Sequence, residues 1–550
     1  MILHSPGYQL FTGSLVSCMQ KTQNYILLFG IALCLLQVWL PVYFVTGDGP
    51  CHVYNARVLH DLWSGKNTAF YTHFYNAVYK PNPNWLSTAV MAALMCIVNG
   101  VIAEKIFLSL YVLLFAGGFY LLLRKLSGNA SWWPLVVFIF VFTHPLFKGF
   151  YNFSFSIAFY FWVVWSWLRF LEKNSVADAC LFFLFAGLAF FTHLLAFVFA
   201  AVTCGALVAS YALAIAKDAP IRRLTFFFRQ AIFLGLLLAP FILLMRWFTE
   251  KEGGMRIQLY HHFRRLIELI EFRYIVNITH GEDFLAAITG VLLVTLFCLS
   301  LAKYRKGIKI HKYDGFLFSL AFVTFVYLFF PEDFLGRLIL ITLRVQLFVF
   351  IVMACCISYM LPSQKLKNIS GIILFLVFIG LSIARIPCQA RVSGGVADYV
   401  SSAPFIKPYS VVLPLDFSPN GKDAKGNMLA DRNWLFCHAS QYLGTFKPLI
   451  VLDNYEANMG YFPISWNADV NPYNHLSKEE GIEGQPPFAT IAEYKKNTGV
   501  TIDYILMWCY DTSFLQNEHF KTFYAEINRQ YHIIYTSPTG NTILYALNQP

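Results

Sequence analysis

The segment Thr46-Gly47-Asp48-Gly49-Pro50-Cys51-His52 sets an acid and an imidazole four residues apart, directly after the first long apolar run. A carboxylate at a lipid–water boundary is partly desolvated, and desolvation raises its basicity. Asp48 therefore reads as a functional acid, with His52 near the acid-bearing turn if a helix starts at Pro50. Gly47 and Gly49 allow close backbone approach. A plainer role is also open, since Asp48 would cap the helix that Pro50 begins. The two roles are compatible, and acidic residues at membrane edges are functional by default.

Further polar residues recur at helix ends. Arg337 closes Pro331-Glu332-Asp333-Phe334-Leu335-Gly336-Arg337, and Arg344 follows seven residues later. On a helix that spacing keeps one face and lies about 10 Å deeper. An arginine in a span is rare and seldom faces lipid. The structural alternative is an ion pair with Glu332, Asp333 or Asp48. His144 and Lys148 lie in the segment Thr143 to Asn152, and His193 lies in Phe191-Thr192-His193-Leu194. For His193, a hydrogen bond to a neighbouring helix and a functional role both stay open. His52, His144 and His193 show no metal-ligand spacing, so no metal ligands are assigned and a divalent metal is left open.

These residues must be positioned by a membrane body. Of 550 residues, 57% are hydrophobic and 13% charged, against about a quarter charged in soluble proteins. Apolar runs cover 25–45, 103–123, 131–147, 151–170, 179–197, 198–216, 230–248, 284–302, 315–331, 338–360 and 369–386. A span needs about 20 apolar residues, which gives a polytopic α-helical protein of about eleven transmembrane helices. The run 86–99 is short and reads as re-entrant, interfacial or a further span. The net charge of +11 gathers in short loops: Arg124-Lys125, Arg169 to Lys173, Lys217 to Arg229, Lys303 to Lys312 and Lys365 to Lys367. With a cytoplasmic N-terminus and no crossing at 86–99, all of these face the cytoplasm, as the positive-inside rule requires. The segments 46–102, 144–150, 249–283, 331–337 and 387–550 then lie outside. Within 249–283, residues 257–275 read as an amphipathic surface helix. No nucleic-acid module is present in the pattern.

From Cys388 the composition turns polar. Strands are expected at Tyr409 to Leu415, Leu449 to Asp453 and Thr501 to Trp508, with a hairpin over His532 to Leu547 turning at Pro538-Thr539-Gly540. Helices are expected at Asn433 to Leu443 and His519 to Gln530. The chain thus divides into a multi-span domain, 1–387, and an extracytoplasmic α/β domain, 388–550, of normal domain size. A Cys437–Cys509 disulfide is open to an oxidising compartment.

An acid just after the first span, a long outer loop, a multi-helix body and an outer C-terminal domain together resemble the GT-C-type membrane glycosyltransferases. The likeness covers the whole architecture, while its motif is the one stretch around Asp48. It implies a polyprenyl-phosphate sugar as donor, a glycan, lipid or protein acceptor, and Asp48 as base or acceptor-positioning group. The commonest family form pairs two acids, whereas here Gly49 follows Asp48. Such a reaction needs a base for the acceptor and positive charge for the leaving phosphate. Arg337 and Arg344 suit the phosphate, and His193, His144, Lys148, Glu332 and Asp333 join them as substrate-binding candidates. An integral protein of the plasma (inner) membrane follows from the absence of a retention signal.

Two other readings stand beside this one. A transporter or flippase would put ionisable residues near the bilayer midplane and often carry a repeat; neither is evident. A non-catalytic assembly protein would need only the outer domain. No Walker A loop, dinucleotide fingerprint, HExxH or nucleophile elbow occurs, which disfavours an ATP-driven pump or a protease.

Overall fold

Hydrocarbon offers no water to bare amides, so a chain in lipid must close its backbone hydrogen bonds within each segment. Each of the apolar runs accordingly forms helix in the computed structural model, which describes residues 6–128, 131–215, 219–249, 262–276, 278–304, 310–334, 338–476 and 481–548. In the first third, α1 (Pro6–Trp39) is followed by α2 (Gly49–Ser64), α3 (Thr68–Phe74), strand β1 (Tyr75–Ala77), α4 (Leu86–Leu94) and α5 (Gly100–Ser127). A 3₁₀ helix, Trp133–Phe140, leads to α6 (His144–Phe147). Then come α7 (Tyr151–Lys173), α8 (Val176–Thr192), α9 (Leu194–Ala214), α10 (Pro220–Thr249), α11 (His262–Glu271), α12 (Asp283–Tyr304) and α13 (Gly315–Phe329). A short hairpin, β2 (Asp333–Phe334) with β3 (Leu338–Ile339), precedes α14 (Ile341–Met360) and α15 (Gln364–Val400).

Among the described residues, eight helices are long and apolar enough to cross a membrane. They are Gln20–Trp39 of α1, then α5, α7, α9, α10, α12, α14 and α15. The shorter apolar segments Trp133–Phe147, α8 and α13 account for the rest of the expected runs. The protein is an α-helical integral membrane protein. At 9 residues, α4 rises only about 13 Å and is too short to cross.

The first span ends at Trp39, short of the Val45 expected from hydropathy. Pro41 biases Leu40 away from helical backbone. Lys105 Nζ then donates to the Trp39 carbonyl at 3.3 Å and the Pro41 carbonyl at 2.6 Å. A cation on the open carbonyls of a helix C-terminus is the favourable end for that charge. Residues 40–48 are thereby released as non-helical chain and carry Asp48 away from α1.

The amphipathic stretch is α11 followed by a 3₁₀ turn, Arg273–Ile275; Arg256 and His261 lie outside the described residues. Arg265 is buried and donates to the carbonyls of Tyr327 at 2.8 Å and Leu328 at 2.9 Å, closing the C-terminal end of α13. Leu266 and Ile270 stay exposed on α11, as on a surface helix.

Beyond α15 the sheet strands are β4 (Ser410–Asp416), β5 (Leu449–Val451), β7 (Tyr504–Trp508), β8 (Tyr531–Thr536) and β9 (Thr542–Leu547), with β6 (Ile464–Trp466) apart from them. The sheet order is β5-β4-β7-β9-β8. Strand β4 runs parallel to β5 and β7, while β9 is antiparallel to both β7 and β8. The apolar runs of β4 and β7 are buried along both faces, as central parallel strands require. Short helices α16 (Gln441–Phe446), α17 (Pro472–His475), α18 (Ile491–Thr498) and α19 (Glu518–Gln530) complete this region. The helix expected from Asn433 begins only at Gln441, because Phe436 N bonds the remote Pro419 carbonyl at 2.9 Å and its ring stacks on Trp508. Cys437 and Cys509 are free thiols. Strand β6 pairs with β1, Tyr75 opposite Trp466, so the first loop and the C-terminal region are knitted into one ladder.

Candidate active site

The Asp48 turn is held by main chain. Gly47 N bonds the Phe147 carbonyl at 3.0 Å and Asp48 N bonds the Lys148 carbonyl at 2.9 Å. The opposing Gly149 has φ +90°, and a Cβ there would run into Asp48 N. Only glycine permits that contact of two backbones. Behind the turn, Thr46 takes Gly49 N at 3.1 Å and donates to the Tyr151 hydroxyl at 3.0 Å. Tyr151 and Tyr442 then each donate to one oxygen of the buried Glu104, at 2.6 and 2.8 Å. That network joins α5, α7 and α16 under the loop.

Asp48 stands at the N-cap position of α2, yet its side chain makes no capping hydrogen bond. The carboxylate instead lines a cavity of about 70 Å³ with His52, Asn84, Asn152, His193, Arg344, Tyr455 and Glu456. His438 Nε2 lies 3.9 Å from Asp48 Oδ1. Burial pushes the Asp48 carboxyl above its ordinary value, with His438 and His52 pulling partly back. A raised carboxyl is better matched to accepting a proton near neutral pH.

His52 lines the same cavity and is held at both ring nitrogens. Its Nε2 meets the Gly149 carbonyl at 3.0 Å, and a carbonyl only accepts, so that nitrogen carries a proton. Its Nδ1 lies 3.0 Å from Glu456 Oε1, with both side chains almost fully buried. The other Glu456 oxygen receives Asn55 Nδ2 at 2.8 Å. Burial disfavours the charged ring, but Glu456 outweighs it and the His52 imidazole is raised above its ordinary value. Beside Asp48, Glu456 thus favours the charged form of His52. Because its folded pKa is raised, the pair contributes fully below the unfolded histidine pKa, near pH 6.5, and loses its contribution as pH rises through the higher folded value. Glu456→Gln breaks this buried pair and is expected to cost about 3–5 kcal/mol at neutral pH. Thermal unfolding in detergent across pH checks it: the wild type should weaken toward alkaline pH, and the variant should show a flatter profile.

Arg344 lies in the first turns of α14, 9% exposed, with its guanidinium 4.3 Å from the Phe150 ring centroid and 5.7 Å from that of Phe153. His193 forms the joint between α8 and α9; its Nδ1 accepts Leu195 N at 3.2 Å, which leaves the proton on Nε2. Asn84 N and Trp85 N bond the Thr192 and Phe191 carbonyls at 3.1 and 3.0 Å, so the first loop closes the open end of α8. Asn152 clamps the same loop, accepting Ser87 N at 3.1 Å.

The remaining candidates are spread around this centre. Lys148 gives its carbonyl to the Asp48 turn, and its partly buried ammonium is lowered by burial against the pull of Asp48. Glu332 accepts Thr342 N at 3.2 Å and pairs with Arg265 at 3.7 Å. That is an acid at the N-terminus of α14, its favourable end, and Glu332 does not line the cavity. His144 bonds the Val276 carbonyl at 3.1 Å and lines a separate cleft of about 220 Å³ with Glu268, Arg273, Asp283 and Arg432. Arg337 lies outside the described residues, and of Asp333 only the backbone in β2 is described. Tyr455, Glu456 and His438 were not among the sequence candidates. The available signal was the acid-rich segment Asp453-Asn454-Tyr455-Glu456 just past the carboxyl end of β5, the edge where open α/β sheets gather ligands. Among the described residues, no group of three or more His, Cys, Asp or Glu is arranged to hold a metal ion.

The fold is thus a helical membrane body whose acid-bearing first loop lies against a C-terminal sheet region. Two crystal structures of ArnT from Cupriavidus metallidurans share it along nearly the whole chain. The apo form matches with a TM-score of 0.52 at 11% identity, over 94% of this chain and 97% of that one. The form bound to undecaprenyl phosphate matches with a TM-score of 0.53 at 10% identity, over 95% and 97%. At such identity the likeness is one of fold. No known family profile matches the sequence, and no curated protein matches it.

Proposed function

We propose that this protein transfers a sugar from a polyprenyl-phosphate donor to an acceptor at the extracytoplasmic membrane face, with Asp48 as general base. The observation that carries the reading is the shared cavity: a carboxylate without a capping role and a buried guanidinium line the same polar space beneath the C-terminal region. Asp48 takes the proton of the acceptor nucleophile as its new bond to the sugar anomeric carbon forms. The bond from that carbon to the phosphate oxygen breaks, and the electron pair leaves with the polyprenyl phosphate. Arg344 and the His193 Nε2–H face the charge that develops there.

The undecaprenyl phosphate held by ArnT supports a lipid-linked donor. An apolar groove of about 530 Å³ between α8 and α10 ends at Phe191, two residues before His193, and suits a polyprenyl tail. Short basic loops support a cytoplasmic N-terminus and an outer C-terminal domain, 388–550, beside the membrane domain, 1–387. A plasma (inner) membrane location and a glycan, lipid or protein acceptor complete the proposal.

The test is covalent transfer. Purified protein in lipid nanodiscs is supplied with labelled polyprenyl-phosphate hexose or pentose and a membrane extract as acceptor source. Labelled product together with released polyprenyl phosphate is expected. Donor counterflow in liposomes without covalent change would instead make the protein a transporter.

A further inference from the structure

We infer that the C-terminal region supplies a positioning residue for this reaction, His438, which stands between Asp453 and Asp48 and keeps the Asp48 carboxylate ionised and aimed. The inference rests on the reading of Asp48 as the base. His438 is buried, with Nε2 3.9 Å from Asp48 Oδ1 and Nδ1 3.9 Å from Asp453 Oδ2. Its ring stacks on Tyr455, centroids 4.7 Å apart and planes at 24°. Tyr455 in turn lines the cavity with Asp48. Asp453 is itself fixed, taking the Ser440 hydroxyl at 2.7 Å and Gln441 Nε2 at 3.2 Å. The chain of groups therefore runs from a clamped acid, through an imidazole, to the cavity-facing acid.

The geometry fits a positioning role better than plain packing. Among the described residues, His438 Nδ1 is buried without a hydrogen-bond partner. Both 3.9 Å separations are ion-pair distances that a shift of about 1 Å turns into hydrogen bonds. Such contacts commonly tighten only when substrate is bound. A buried carboxylate needs an opposite charge to stay ionised.

The other groups around Asp48 do less. His52 is bound up with Glu456 and the Gly149 carbonyl. Lys148 reaches Asp48 from the opposing loop, and Arg344 from α14, where the proposed phosphate would engage it. Glu456 pushes the other way, and Tyr455 is neutral. Around His438 itself stand Asp453, Asp416, Tyr473 and the thiols of Cys51 and Cys437. Burial opposes the charged ring, while Cys437, Cys51 and Asp453 favour it, and the imidazole is raised.

The test uses the full-length protein with His438→Gln and Asp453→Asn, each close to its original in shape. In a folded His438→Gln variant, kcat should fall about 10- to 100-fold while KM for the donor holds. The acidic limb of the pH–rate profile should move up by about one unit, because Asp48 loses the charge that favours its ionised form. Asp453→Asn should shift the limb in the same direction by less, and decides the matter if the Gln variant does not fold. An unmoved acidic limb, or a change in KM alone, overturns the positioning role. Full transfer by Asp48→Asn overturns the base reading and this inference with it. Loss in Asp48→Asn beside an unmoved limb in His438→Gln overturns this inference alone.

Discussion

Asp48→Asn is expected to lower the rate of sugar transfer by about 10²- to 10⁴-fold, the range a positioned general base supplies, while the protein stays folded. The substitution keeps the side chain's size and removes its basicity. It should cost little stability, because the Asp48 side chain makes no capping bond that α2 would lose. Tyr455, which lines the same cavity, can donate to an amide oxygen as readily as to a carboxylate. The turn is held through the main-chain bonds of Gly47 and Asp48 to Phe147 and Lys148, which the substitution leaves alone. Donor affinity should hold or rise slightly, since a negative charge is taken away from beside the phosphate. The expected pattern is therefore a collapse of kcat without a rise in KM. In the wild type, the rate should climb with pH through the raised Asp48 value, and that limb should vanish in the variant. Transfer of labelled sugar, set against a thermal unfolding curve in detergent, gives both readings. A folded Asn variant at the wild-type rate would remove Asp48 as the base.

The helices were legible because lipid leaves so few options. Twenty or so apolar residues can only close their hydrogen bonds as helix, so runs such as 103–123 and 369–386 mark spans from composition alone. Their ends were less legible. Hydropathy carried the first run to Val45, while Pro41 and the Lys105 ammonium end the helix at Trp39. Lys105 is far away in sequence, and local pattern carries no trace of it. In the site, Asp48 and Arg344 stood out because charge at a membrane edge is unusual. The partners that give them their surroundings did not. Glu456 and His438 look ordinary in a polar, loop-rich stretch, and only folding brings them against the first loop, through β1 on β6 and the Asn55–Glu456 bond. His52 shows the limit most clearly. Its place four residues from Asp48 is plain in the sequence, whereas its pairing with Glu456, more than 400 residues later, leaves no local trace.

Arg344→Gln should separate donor binding from base chemistry. The guanidinium carbon lies 4.3 Å from the Phe150 ring centroid and 5.7 Å from that of Phe153, contacts that attract a cation and hold it at the cavity. A phosphate in the cavity would meet a buried cation, where a charge-assisted bond is strong. Glutamine keeps a polar end but neither the charge nor the fork. Transfer should fall about 10²- to 10³-fold, as when one stabiliser of developing negative charge is removed. Lysine should recover only part of this, since it keeps the charge but not the guanidinium's fork of donors. A second measurement needs no turnover. Polyprenyl phosphate, the leaving group, should stabilise the wild type against thermal unfolding, by about 2.7 kcal/mol at one hundred times its dissociation constant. Arg344→Gln should lose most of that stabilisation, whereas Asp48→Asn should keep it. If Arg344→Gln were stabilised by the lipid as fully as the wild type, the phosphate would have to be held elsewhere. The paired result expected here divides the cavity by function, with Arg344 holding the group that leaves and Asp48 acting on the group that arrives.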